Sequence, residues 1–127
     1  SFPTRRSSDL RSTQGLFQLG LVLLARKQPV EAAHVFGRAT ELKPDFGPAH
    51  FNRGLALLQA GQPRDAIDAF RETLRYNPER LDTYLYLAEI YLRLGERTEA
   101  RSILGEARTL APDHPRLRAL MEQAGQP

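Results

Sequence analysis

Three prolines, Pro44, Pro78 and Pro112, are evenly spaced at thirty-four positions, and the same interval runs through the chain in several other columns. Ala32, Ala66 and Ala100 share it, as do Phe36, Phe70 and Leu104. So do Gly20, Gly54 and Ala88, then Leu23, Leu57 and Tyr91, then Leu42, Tyr76 and Leu110, and Pro29 is followed at the same distance by Pro63. A period of this length marks one supersecondary unit repeated along the chain. Such a unit cannot bury its apolar face alone and does so against its neighbour.

Each unit reads as two helices. From Gly47 to Ala60 nothing breaks the helical pattern, and Gly61 supplies the left-handed residue that ends a helix. Pro63 suits the first turn of a second helix, where its missing N–H costs nothing. That helix runs to Tyr76, and Asn77-Pro78 stops it, because proline disfavours helical backbone in the residue before it. Gly95 and Pro112 play the same parts in the third unit, whereas Lys27 stands at the turn position of the first. A side chain at positive φ is strained there. The small residues Gly20, Gly54 and Ala88 are expected where two helix backbones approach closely, with Ala32, Ala66 and Ala100 facing them.

The tail from Pro115 to Ala124 places Leu117, Leu120, Met121 and Ala124 on one face, and Arg116, Arg118, Glu122 and Gln123 on the other. It suits a terminal helix that covers the last apolar face of a stack. The closing Gln123-Ala124-Gly125-Gln126-Pro127 also repeats Gln59-Ala60-Gly61-Gln62-Pro63, so residues 115–124 read either as a capping helix or as the start of a truncated fourth repeat. At the other end, Ser1 to Leu10 (SFPTRRSSDL) matches a translated short-read sequencing adapter. Residues 1–10 are therefore set aside as a non-native scar. On that account the natural protein extends further toward its N-terminus. Sixteen of 18 basic residues are arginine, which points to a GC-rich, bacterial genome.

Small residue, aromatic or aliphatic, alanine, Phe/Leu, alanine and proline at fixed offsets within one such interval resembles the tetratricopeptide repeat. The resemblance covers 13–46, 47–80 and 81–114. It implies an all-α, right-handed α-solenoid of three antiparallel helix hairpins plus a C-terminal helix. It departs from the pattern at Lys27, and at His50 and Arg53, which occupy positions that are Leu16, Tyr84, Leu19 and Leu87 elsewhere. The family's first helices line a concave groove. Carried over by position, the peptide-binding residues are Gln14, Phe17, Leu21 and Ala25 in the first unit, and Phe51, Asn52, Leu55 and Gln59 in the second. In the third they are Asp82, Leu85, Glu89 and Arg93. The groove is then apolar at Phe17, Leu21, Phe51 and Leu55 and charged toward its C-terminal end. Members that grip acidic chaperone tails use a Lys/Asn/Arg cluster, and the matching positions here are Phe17, Leu21, Asn52, Asp82 and Tyr86. Only Asn52 agrees, and Asp82 would repel a carboxylate, so no chaperone-tail carboxylate clamp is expected.

Plainer roles stand beside these. Phe17 and Phe51 could pack against a second helix of the same or preceding hairpin, and Glu89 with Arg93 could form an i,i+4 surface pair worth little. Arg53 could lie along apolar surface with its head in water, and His50 could fill an aromatic slot.

Signatures of chemistry are missing. His34, His50 and His114 lie in different units without a metal-ligand partner at i,i+4, and the chain has no cysteine. No phosphate loop occurs, and Asp65, Asp68 and Glu72 read as a solvated outer stripe. The formal charge of +3 is dispersed, which argues against nucleic acid, and no apolar run nears the ~20 residues of a membrane span. No catalytic residue, cofactor or metal is expected. The expected function is a protein–protein interaction module that takes a peptide or partner with apolar anchors. The alternative is a docking or regulatory fragment of a larger enzyme or secretion/assembly protein whose catalytic domain is missing. The compartment is open between cytoplasm and periplasm of a bacterium, and self-association through the truncated ends is expected.

Overall fold

The computed structural model describes residues 12–126; the segment set aside above as a scar lies outside the described residues. Among the described residues there are seven α-helices and no strand. They are α1 (Thr13–Ala25), α2 (Pro29–Leu42), α3 (Gly47–Gln59), α4 (Pro63–Tyr76), α5 (Leu81–Arg93), α6 (Arg97–Leu110) and α7 (Pro115–Gln123). Two compact units result, one up to Tyr76 and one from Asn77. In the first, α1 pairs with α2 and α3 with α4, and α2 also packs against α3. In the second, α5 pairs with α6, and α7 rests on both.

Every helix start keeps the rhythm of the sequence columns, and the turns explain why. Gly61 and Gly95 both sit at φ 76°, and Lys27 takes the equivalent place at φ 59°. The left-handed residue expected at Lys27 is thus present, but without the glycine that adopts it freely. Lys27→Gly should stabilise the protein by about 1 kcal/mol, since a non-glycine residue in this region is strained. A urea midpoint that does not rise would contradict this.

Packing gives the small residues a specific partner. Gly20 and Gly54 each lie beneath an aromatic ring of the paired helix. A Cβ built on Gly20 would come within 2.5 Å of Phe36 Cε1, and one on Gly54 within 2.6 Å of Phe70 Cε1. Both rings are fully buried. In the third hairpin the same two columns hold Ala88 and Leu104, also fully buried. A slimmer side chain on one helix accompanies the added methyl on the other.

The two departures in α3 have separate explanations. His50 is buried, stacks on Tyr76 with ring centroids 5.7 Å apart, and donates from Nε2 to the Pro44 carbonyl at 2.7 Å. Tyr84, in the same column of the next repeat, donates its hydroxyl to the Pro78 carbonyl at 2.6 Å. A ring with one donor at this column therefore satisfies a carbonyl of the preceding proline, as buried polar groups require. Arg53 runs over Gly37 of α2, where a Cβ would meet its Nε at 3.5 Å. It is half-buried, with its stem on a neighbouring helix.

The helix α7 starts in register with α1, α3 and α5, and its N-cap His114 accepts from Leu117 N at 3.4 Å. Leu117 and Leu120 are fully buried, with Met121 and Ala124 beside them. Yet the columns that receive a pairing helix elsewhere are polar here. Arg118 occupies the column of Leu16, His50 and Tyr84, and Glu122 that of Gly20, Gly54 and Ala88; both are exposed. Arg101 on α6 donates from Nε to the Ala124 carbonyl at 2.7 Å, and Gln126 returns a bond to the Arg101 carbonyl at 3.1 Å.

Candidate functional site

The first helices carry the expected binding positions, and burial sorts them. In the first unit Gln14, Ala25 and Gln59 are exposed, while Phe17, Leu21, Asn52 and Leu55 are half-buried. Phe51 is only 6% exposed, with its ring centroid 5.6 Å from that of Phe70. Phe17 packs in the same way, 5.8 Å from Phe36 and edge-on to Phe46 at 5.2 Å. Phe51 therefore belongs to the core of its own hairpin, while Phe17 is half-buried against the core between α1, α2 and α3. The Phe51 ring thus faces α4, not solvent, at a position that the resemblance assigns to the groove.

What remains accessible on this part of α1 and α3 is Leu21 and Leu55, joined by half-buried Leu24 and Leu58. The last two recur one repeat apart and continue to Leu92, a column that could have been read from the sequence. Asn52 spends its amide N–H on the Pro48 carbonyl one turn back, at 2.9 Å. The helix α1 carries no charged side chain, so its outward positions offer aliphatic and carboxamide groups.

The compact unit from Asn77 brings together the four residues expected from the third repeat. Asp82, Leu85 and Glu89 line a cleft of ≈ 370 Å³ with Tyr86 and, from α7, Arg116. Glu89 and Arg93 line an adjoining cleft of ≈ 350 Å³ with Leu92, Arg116 and Gln123. Arg116 stands one full repeat after Asp82, so the groove column continues into α7. The expected pair between Glu89 and Arg93 is replaced by one across helices. Arg116 donates from Nη2 and Nε to Glu89 Oε1, at 2.7 and 3.1 Å. A guanidinium presenting two donors to one carboxylate oxygen wins over a flexible i,i+4 neighbour because its geometry is fixed. Asp82 is held by Arg80 Nε at 3.0 Å.

Behind the cleft, burial raises the Tyr84 phenol above its ordinary value of 10.0, and the negative charge of Glu106 adds to the effect. The neutral phenol is thus favoured in the folded chain. Its contribution is complete below pH 10, the unfolded value, and is lost as the pH climbs through the higher folded one. Tyr84→Phe should cost about 1 kcal/mol at pH 8 through the lost bond to Pro78, and should flatten the loss of stability above pH 10. Equal slopes in the two proteins would refute that assignment.

Among the described residues no cluster of three histidine or acidic side chains is placed to hold a metal ion, and no helix is long and apolar enough to cross a membrane. Comparison with known proteins agrees with the geometry. Family models described as tetratricopeptide repeat match residues 57–124 and 17–63. A TPR repeat-containing thioredoxin of Arabidopsis thaliana is 29% identical over 101 residues, 80% of this chain and 15% of that protein. A TPR repeat-containing protein of Methanocaldococcus jannaschii is 33% identical over 82 residues, 65% of this chain and 22% of that protein. The chain thus spans less than a quarter of the length of either relative. The crystal structure of YrrB, described as a TPR protein with an unusual peptide-binding site, superposes with a TM-score of 0.78 at 25% identity, covering 87% of this chain and 57% of YrrB. With one family model covering more than half of its residues, and helix pairs recurring at one fixed interval, the chain belongs to the tetratricopeptide repeat family.

Proposed function

We propose that the chain is a protein-interaction module that binds a peptide segment along its first helices and carries out no chemistry itself. The observation that supports it most directly is the convergence of Asp82, Leu85, Glu89 and Arg93 with Arg116 on two adjoining clefts. Four residues chosen by position alone share one concave, partly apolar surface, the kind of place where a few anchors carry most of the binding energy. The description of YrrB as having a peptide-binding site points the same way. In the first unit, Leu21 and Leu55, flanked by Gln14, Asn52 and Gln59, offer uncharged apolar contact, so Ala25 and the two phenylalanines are secondary there. No chaperone-tail clamp is expected, because Asp82 stands where that function needs a cation.

The test is saturable binding followed by nuclear magnetic resonance, using a panel of short leucine-containing peptides on the whole chain. Shifts confined to exposed and half-buried first-helix residues, weakened several-fold by Leu85→Gln, support the reading. Binding that ignores Leu85→Gln, Leu55→Gln and Leu21→Gln alike would overturn it.

The same logic favours α7 as a cap over the first helix of a fourth hairpin. A pairing helix would have to lay a ring over Glu122 and pack on Arg118, burying two charges without partners. Fusing a second copy of residues 97–110 after Gln126 should leave that copy unprotected in hydrogen exchange; protection equal to that of α6 would count against a cap. At the opposite end, Leu19 and Val22 of α1 are 38% and 47% exposed, whereas Ala56, in the Val22 column, is fully buried. This apolar face supports weak self-association, and a strict monomer by light scattering at millimolar concentration would argue otherwise.

A further inference from the structure

The two clefts of the second unit differ in charge, and their order along α5 is fixed. The first holds Asp82 and Glu89 against a single Arg116. The second holds Arg93 and Arg116 against a single Glu89. The Glu89–Arg116 pair forms the wall common to both, and each of its members is satisfied by the other. It therefore contributes shape more than net charge. What differs between the ends is Asp82 on one side and Arg93 on the other. Asp82 takes one bond from Arg80 Nε through Oδ1 at 3.0 Å with its side chain half exposed, and Arg93 makes no ion pair among the described residues. Leu85 and Leu92 lie between and beside these charges, with Tyr86 along the same wall.

From this we propose that the cleft takes an extended peptide segment bearing one basic and one acidic side chain, the basic one at Asp82 and the acidic one at Arg93, with apolar side chains between them on Leu85 and Leu92. The proposal rests on the cleft being a partner-binding surface and names the chemistry of that partner. The spacing follows from helix geometry. Asp82 and Arg93 are eleven residues apart on one helix, about 16 Å at 1.5 Å per residue, which an extended segment covers in about five residues. Complementary charges of this kind set register and orientation more than raw affinity, because each exposed pair contributes little in water. An apolar peptide of the same length fits the leucines but has no preferred direction, and a peptide of reversed charge order binds by reversing its own direction. Two like charges cannot satisfy both ends.

The experiment uses fluorescein-labelled peptides of sequence Lys-Ser-Leu-Ser-Leu-Ser-Glu, in which alternation puts Lys, both Leu and Glu on one face, blocked at both ends and titrated with the full chain at 20 mM salt. Three companions replace Lys, Glu or both by Gln. The doubly charged peptide should bind about tenfold tighter than the doubly neutral one, with each single replacement costing about threefold, and the difference should vanish at 0.5 M salt. Arg93→Glu should invert the preference at that end, so that a peptide with Lys at both ends becomes the better ligand. Asp82→Lys should do the same at the other end, which keeps the test open if either variant fails to fold by circular dichroism. Equal binding of all four peptides, or an Arg93→Glu protein with unchanged preference, would overturn the charge assignment while leaving the cleft as an apolar binding surface. Failure of every peptide to shift resonances of Leu85, Glu89 and Leu92 would remove both the proposal and the functional reading beneath it.

Discussion

Gly54→Ala is expected to destabilise the protein by about 2 kcal/mol, and adding Phe70→Leu to return at least half of that loss. The added methyl would sit 2.6 Å from the Phe70 ring, far inside contact distance. Overpacking of this kind costs about 1–3 kcal/mol or more, and the gain in helix propensity from glycine to alanine, about 1 kcal/mol, offsets only part of it. Phe70→Leu alone should also be harmful, by about 1–2 kcal/mol, because it leaves a cavity beneath the ring position. The two changes together recreate the pair found at Ala88 and Leu104 in the third hairpin. Their combined cost should therefore fall short of the sum by at least about 2 kcal/mol in a double-mutant cycle read from urea denaturation. Strict additivity would mean that the size match between the two columns has no energetic content. Gly20 and Phe36 offer a second test of the same rule, since the contact there is 2.5 Å.

Phe51→Ala should cost about 3–4 kcal/mol, the usual range for removing a buried ring, and should loosen the whole first unit. Leu55→Ala, at a half-buried position one turn further along the same helix, should cost about 1 kcal/mol and leave the fold intact. Only the second change is then a fair probe of binding. Thermal denaturation of both variants, run before any binding assay, separates the two roles. If Phe51→Ala melts like the parent chain, the ring is not a core element and its return to the list of groove contacts is warranted. Binding lost in Phe51→Ala with the fold lost as well says nothing about a partner.

The contrast between Phe51 and Leu55 shows where sequence information ends. Helix boundaries, turn positions and the repeat interval were legible because each rests on local chemistry: Gly61 and Gly95 at positive φ, Pro29 and Pro63 at helix starts, and apolar columns kept in step. Lys27 was legible as a strained substitute for the same reason. Membership of a binding surface was not, because the columns of Phe51 and Leu55 are both largely apolar, and which way a ring turns depends on the helix across from it. Position alone therefore put Phe51 and Leu55 in one class, and burial separated them.

The same limit governs charge. Glu89 and Arg93 are natural partners along a single helix, and nothing in their spacing indicates that Arg116, on another helix, takes Glu89 instead. His50 was legible as a departure able to fill an aromatic slot, but its bond to Pro44, matched by the bond of Tyr84 to Pro78, was not. Periodic sequence determined that this chain would form paired helices and where each would begin, since those choices are made within a few residues of backbone. Only the tertiary structure decided which side chains became core, cleft or cap, because that depends on distances between segments that the linear order leaves unspecified.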